Sequence, residues 1–176
     1  MDRPSPAVLV LWAAMACGAL QAQELEPGLW EIGSRNMQLN GQPLPDMREM
    51  MRRLEQLPSD QREQVERAMR RRGVAIGGEG VRVCLDRAQI AAQQLPLQDP
   101  ASGCRQEILE RGERHWRFRF SCPQLEGEGE TEFHGPHEFV TRIVSRFDSQ
   151  GVPQDGRMES RARWLKADCG SLGPAR

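Results

Sequence analysis

Net charge is nearly absent from this 176-residue chain: 24 Lys and Arg stand against 25 Asp and Glu, leaving −1 at neutral pH. A dedicated nucleic-acid binder would carry a net basic face, so that class is set aside. Lysine is almost missing, Lys166 being the only one. The arginine bias reads as codon usage in a GC-rich genome and carries no functional weight. Tyrosine is absent. No C-x-x-C pair occurs, which argues against thioredoxin-type redox chemistry and zinc ribbons. No G-x-S-x-G elbow is present, and Ser121 simply precedes Cys122 on a predicted strand. Gly77-Gly78-Glu79-Gly80 lacks the following Lys-Ser/Thr of a phosphate loop and leads into a strand, so it reads as a flexible connection. Beyond the first residues, no hydrophobic run is long enough to span a bilayer.

What is present begins with an export signal. Arg3 gives a small positive n-region, Ala7 to Leu20 an apolar h-region too short to cross a membrane, and Ala22 a small residue at a cleavage site. Residues 1–22 are therefore read as a signal peptide and 23–176 as a single β-rich domain, expected in the periplasm. Acylation at Cys17 is the rival reading, but Ala14-Met15-Ala16 fits a lipobox poorly. Cys84, Cys104, Cys122 and Cys169 then remain, an even number in an oxidising compartment, so two disulfides are expected with three possible connectivities.

Pro27 to Ile32 reads as a turn leading into a first strand, and Asn40-Gly41 as a turn. From Asp46, residues Met47, Met50, Met51, Leu54 and Leu57 recur at three- and four-residue steps, one apolar helix face. Pro58 ends that helix. A second, thinly apolar helix is expected from Asp60 to Arg72, with Ser59 as N-cap and Gly73 as stop. The helical insertion thus spans about 46–73. Val81 to Leu85 reads as a short strand, Asp86 to Gln94 as a short helix and 96–103 as a loop. The segments 104–111, 115–122, 127–134, 138–148 and 157–166 alternate in polarity with turn residues between them.

That alternation proposes registers. With Cys104 opposite Cys122, Ile108 faces Phe118 and Glu107 faces Arg119. In the next hairpin Phe118 is expected opposite Thr131, Phe120 opposite Gly129, Arg119 opposite Glu130 and Arg117 opposite Glu132. Around Pro136, Phe133 meets Phe139 and Glu130 meets Arg142. Across a wider final turn Phe147 is expected opposite Met158, Ile143 opposite Ala162 and Arg146 opposite Glu159. One face then collects aromatic and aliphatic side chains, while the other is an Arg/Glu lattice that helps to fix register. The expected fold is mainly β with an α insertion: a curved antiparallel meander sheet or partial barrel, covered by the two-helix Met-rich insertion. The register makes Cys104–Cys122 the first choice of bridge, leaving Cys84–Cys169.

The chain resembles the bacterial family known as domain of unknown function 3617. The resemblance rests on Pro27-Gly28-Leu29-Trp30-Glu31, the Met-rich segment before Arg72-Gly73-Val74, Val83-Cys84-Leu85, Cys104, Phe120-Ser121-Cys122, Gly127–Phe133, and Arg163-Trp164-Leu165 with Ala167-Asp168-Cys169. It covers nearly the whole exported chain. It implies an exported protein of a Gram-negative bacterium and no particular activity, so no catalytic residue is carried over.

Candidate chemistry is sparse. His134 and His137 flank a tight turn near Glu132 and Glu138, a set able to bind zinc or copper, but solvated loop positions are the simpler reading. Met37, Met47, Met50, Met51 and Met69 suit Cu(I) or an adaptable apolar surface, though methionine at helical spacing is usually core. Arg70-Arg71-Arg72 ends a helix, where cations complement the dipole. No catalytic residue, cofactor or metal is expected, and the chain is not read as an enzyme. The expected function is a binding module for an apolar ligand, such as a lipid or acyl chain, or for a peptide segment. Its candidate face is Trp116, Phe118, Phe120, Phe133, Phe139 and Trp164, with Met50 and Met51. The alternative is an interaction protein of the cell envelope with a filled core.

Overall fold

The computed structural model describes residues 25–92 and 103–173. The expected signal peptide lies outside them, as does nearly all of the loop expected at 96–103. The elements run β1 (Gly28–Leu39), β2 (Gln42–Pro43), α1 (Met47–Glu55), α2 (Ser59–Arg71), β3 (Val74–Ile76), β4 (Val81–Leu85), α3 (Arg87–Ala92), β5 (Arg105–Arg111), β6 (His115–Cys122), β7 (Leu125–Phe133), β8 (Glu138–Ser149) and β9 (Val152–Lys166).

The strands form one antiparallel sheet in the order β3-β4-β1-β9-β8-β7-β6-β5, with β2 beside β1. The sheet is open: β3 and β5 are its outer strands, and no barrel closes. The meander β5 to β9 follows the chain, and β1 then inserts between β9 and β4, so the first strand sits inside the sheet. An edge strand exposes unpaired backbone groups to other chains, and proteins blunt such edges with charges, bulges or short length. Here β5 carries Arg105, Glu107, Glu110 and Arg111 with a register irregularity at Leu109, and β3 is three residues long.

The register expected for β5 and β6 is the observed one: Glu107 opposite Arg119 and Ile108 opposite Phe118. Phe133 opposite Phe139 and Glu130 opposite Arg142 also stand as expected. Two hairpins differ. Phe118 lies opposite Gly129, Phe120 opposite Gly127, Arg119 opposite Glu128 and Arg117 opposite Glu130, two residues from the expected pairing. Pro123-Gln124 alone makes that turn, because Leu125 and Glu126 join β7 instead of the loop. In the last hairpin the offset is four: Ile143 pairs with Met158, Phe139 with Ala162, Phe147 with Gln154 and Arg146 with Asp155. The wide turn is in fact Gln150-Gly151, both at positive φ. Positive φ at both central residues marks the tight hairpin turn whose twist matches the strands. Strand β9 therefore runs through Pro153 and Gly156, which read as loop residues in sequence. Both offsets are even, so every side chain keeps its expected face.

The core joins Trp30, Ile32, Val83, Leu85, Phe133, Phe139 and Ala162, with Leu25, Val74, Val81, Ile90, Trp116 and Trp164 packed around it. Residue Ile90 comes from α3, whose start is a reciprocal cap: Gln89 N donates to Asp86 (2.7 Å) and Asp86 N to the Gln89 side chain (3.0 Å). The Met-rich insertion covers less than expected. Helix α1 lies against β1 and buries Met51, whereas α2 lies against β3 and buries no side chain. Asp46 caps α1 through Glu49 N at 2.7 Å. Hydrogen bonds from Arg52, then Arg53, hold the Glu49 carboxyl below its ordinary value. The Ser59 cap is a further correction: Pro58 occupies the N-cap position of α2, without a side-chain cap. Disulfides join Cys84 to Cys169 and Cys104 to Cys122, the pairs expected from the hairpin register.

Candidate functional site

Two regions of the sheet gather the chemistry. The first is the inner face, where the candidate residues divide into two groups. Trp116 packs edge-on against Phe133 at 4.7 Å between ring centroids, Phe133 lies 6.0 Å from Phe139, and Trp30 lies 5.4 Å from Phe139. Trp30, Phe133 and Phe139 belong to the buried core cluster, and Trp116 packs against it. Trp164 is also committed: its indole N–H donates to Pro27 O at 3.1 Å, and its ring lies 4.7 Å from that of His137. Trp30 donates to Glu26 O at 3.0 Å. The two tryptophans together anchor the start of β1, which gives a structural reason for the Pro27–Glu31 and Arg163–Leu165 motifs. A buried indole needs an acceptor, and here the backbone supplies it.

Further along the same face runs a row of hydroxyls, Ser34, Ser160, Thr141 and Thr131, on four adjacent strands and all buried. The Thr131 and Thr141 hydroxyls hydrogen-bond at 2.9 Å. Beyond this row lies a second apolar group. Phe118 is buried outside the core cluster, and Phe120, Ile143, Phe147 and Met158 are half-buried. The Phe118 ring lies over Gly129, and a Cβ there would collide with it. Gly127 stands likewise beneath Phe120. Cross-strand glycines thus let two aromatic rings lie flat on the sheet. Met51 is buried and Met50 half-buried on α1, but the core cluster does not include them.

The second region is the outer, charged face. Its pairs include Arg119–Glu128 (2.7 Å), Arg142–Glu159 (3.2 Å), Arg161–Glu138 (2.6 Å) and Arg35–Glu159 (3.3 Å). Donating a hydrogen bond to Glu128 raises the pKa of Arg119, and donating one to Glu138 raises that of Arg161. Most of these side chains are about half exposed, so each pair contributes little to stability and mainly disfavours a slipped register.

Beside β1 this face opens into a cleft of about 410 Å³, lined by Glu31, Arg35, Arg48, Glu79, Arg161 and Arg163 among others. Glu31 is buried there and accepts from Gly78 N at 2.9 Å and Arg82 at 3.4 Å, with Arg163 at 3.7 Å. Glu79 is half exposed and bridges Arg48 (2.8 Å) and Arg163 (3.6 Å). Sequence reading missed this group because Gly77–Gly80 looked like a mere connection. The one available signal was the arginines alternating in β9, with Glu31 opposite Arg163.

The histidines make carboxylate pairs: His115 Nδ1 lies 3.3 Å from Glu130 and His134 Nε2 4.0 Å from Glu132. Among the described residues no three His, Cys, Asp or Glu groups converge as a metal-ligand set. The described helices include none long and apolar enough to cross a membrane.

The architecture can be set beside known proteins. Residues 25–169 match the family described as "Protein of unknown function (DUF3617)". The chain belongs to the DUF3617 family. A curated relative from Pseudomonas putida, "Uncharacterized protein in lpd-3 5'region", is 44% identical over 135 residues, covering 77% of this chain and 95% of the relative. No solved structure matches the chain significantly. The DUF3617 match spans both disulfides and the whole sheet.

Proposed function

We propose that this DUF3617 protein is an exported, periplasmic, non-catalytic binding protein for an apolar ligand, an acyl chain above all. The observation that carries the reading is the second apolar group of the inner face. Phe120, Ile143, Phe147 and Met158 stand half-buried on one side of the hydroxyl row, while the residues on the other side belong to the buried core cluster. Side chains of this kind, on a floor made shallow by Gly127 and Gly129, offer apolar contact across four strands, β6 to β9. Burial of each CH₂ of a chain there contributes about 0.8 kcal/mol. The export signal and two disulfides fit an oxidising compartment. All four cysteines outside the signal are bridged, which removes them as nucleophiles.

The test is native mass spectrometry of the protein purified from the periplasm without detergent. A discrete adduct of a few hundred daltons, released on denaturation and lost in Ile143→Arg, is the expected result. A bare chain that also ignores added palmitate would overturn the reading and favour an envelope interaction protein.

A further inference from the structure

We propose that the arginine-lined cleft beside β1 binds a phosphate group, and that Glu79 occupies it as a built-in stand-in. The proposal is independent of the apolar reading, because it concerns the opposite, charged face. Two carboxylates, Glu31 and Glu79, share Arg163. Glu31 is 8% exposed, accepts from Gly78 N and is flanked by Arg82 and Arg163. It is a fixed part of the sheet, since a buried carboxylate stripped of its partners is costly.

Glu79 is 52% exposed and held only at its tip, by Arg48 and Arg163, in ion pairs of the kind that contribute little. Its backbone cannot leave. Gly77 N donates to Gly80 O at 2.8 Å, and a Cβ at Gly80 would collide with Ile32 O and Gly33. The side chain alone is free to turn outward. If it does, Arg48 loses its carboxylate and Arg163 keeps Glu31 alone, at 3.7 Å, while Arg35 and Arg161 keep Glu159 and Glu138. The released Arg48 and the half-released Arg163 then line a cleft of about 410 Å³, roomier than one carboxylate needs, with Glu31 at its wall. Planar forks of this kind match the several oxygens of a phosphate.

The experiment is a calorimetric titration of the full exported chain with inorganic phosphate. It compares the native protein, Glu79→Gln, and Glu79→Gln with Arg48→Gln. The double variant restores the native net charge, and both positions are more than half exposed, so the fold should persist. Glu79→Gln is expected to bind phosphate about fivefold more tightly, and adding Arg48→Gln to abolish the gain. Glu110→Gln, which takes one of two carboxylates from Arg117 elsewhere on the face, should change nothing. Failure of Glu79→Gln to tighten binding, survival of the gain in the double variant, or an equal gain in Glu110→Gln would each overturn the proposal. A parallel sedimentation with phosphatidic acid and phosphatidylcholine vesicles separates the sources. Recruitment of Glu79→Gln to the phosphatidic acid vesicles alone marks a lipid headgroup, and phosphate binding without recruitment marks a free anion.

Discussion

The two ends of the inner face are built by one sequence pattern and end in different states. At one end Trp30, Phe133, Phe139 and Ala162 meet in a buried cluster, flanked by Ile90 of α3 and by the tryptophan-anchored chain start. At the other end Phe120, Ile143, Phe147 and Met158 alternate just as regularly and stay half-buried. Alternation decides which side of a sheet a residue faces. It does not decide whether a neighbour covers it. Function is expected where cover is thin, because a filled core offers nothing to a ligand.

The comparison can be broken at several levels. The disulfides give the largest expected effect. Cys84–Cys169, with a sequence separation of 85, ties the buried end together, and Cys104–Cys122, with a separation of 18, ties the far hairpin. Loop-closure entropy grows with separation, so replacing the first pair by serine should cost about 4 to 5 kcal/mol and the second about 3 kcal/mol in denaturant unfolding. Equal losses would contradict the ranking of the two ends.

Truncation sharpens the same contrast. Phe133→Ala opens a cavity in close-packed core and should cost about 3 to 5 kcal/mol. Phe147→Ala removes a half-covered ring, with an expected loss of about 1 kcal/mol, but it should abolish ligand response. Urea titrations of both variants, with and without palmitate, read both effects. The smallest effect belongs to the outer face. Arg142→Gln breaks contacts with Glu159 and Glu132, yet the side chain is half exposed, so thermal unfolding should register less than about 1 kcal/mol.

How far the sequence carries to this point varies by element. The five meander strands, both faces and the disulfide pairs are legible because period-two alternation is long and turn residues punctuate it. The hairpin offsets are not. Leu125-Glu126 and Val152 to Gly156 look like loop, since Pro153, Gly151 and Gly156 signal a turn more strongly than Asn40 signals the partner that steadies the strand. Yet Asp155 N donates to the Asn40 side chain at 2.8 Å, a contact across 115 positions that local reading cannot see. The Glu31–Glu79–Arg163 cleft was hidden for the same reason, as its members come from three separate segments. The weak cover of α2 follows from its sequence, where Val65, Ala68 and Met69 are the whole apolar stripe. Which part of the sheet a helix meets is set by tertiary packing, and the Met spacing of α1 could not show it.

The most direct test of the account is a methyl NMR titration with palmitate, reading Ile and Val methyls and Met methyls on both sides of the hydroxyl row. The account expects saturable shifts at Ile143 and Met158 with Ile32 and Val83 unmoved. Shifts centred on Ile32 and Val83, or none at Ile143 and Met158, would contradict it.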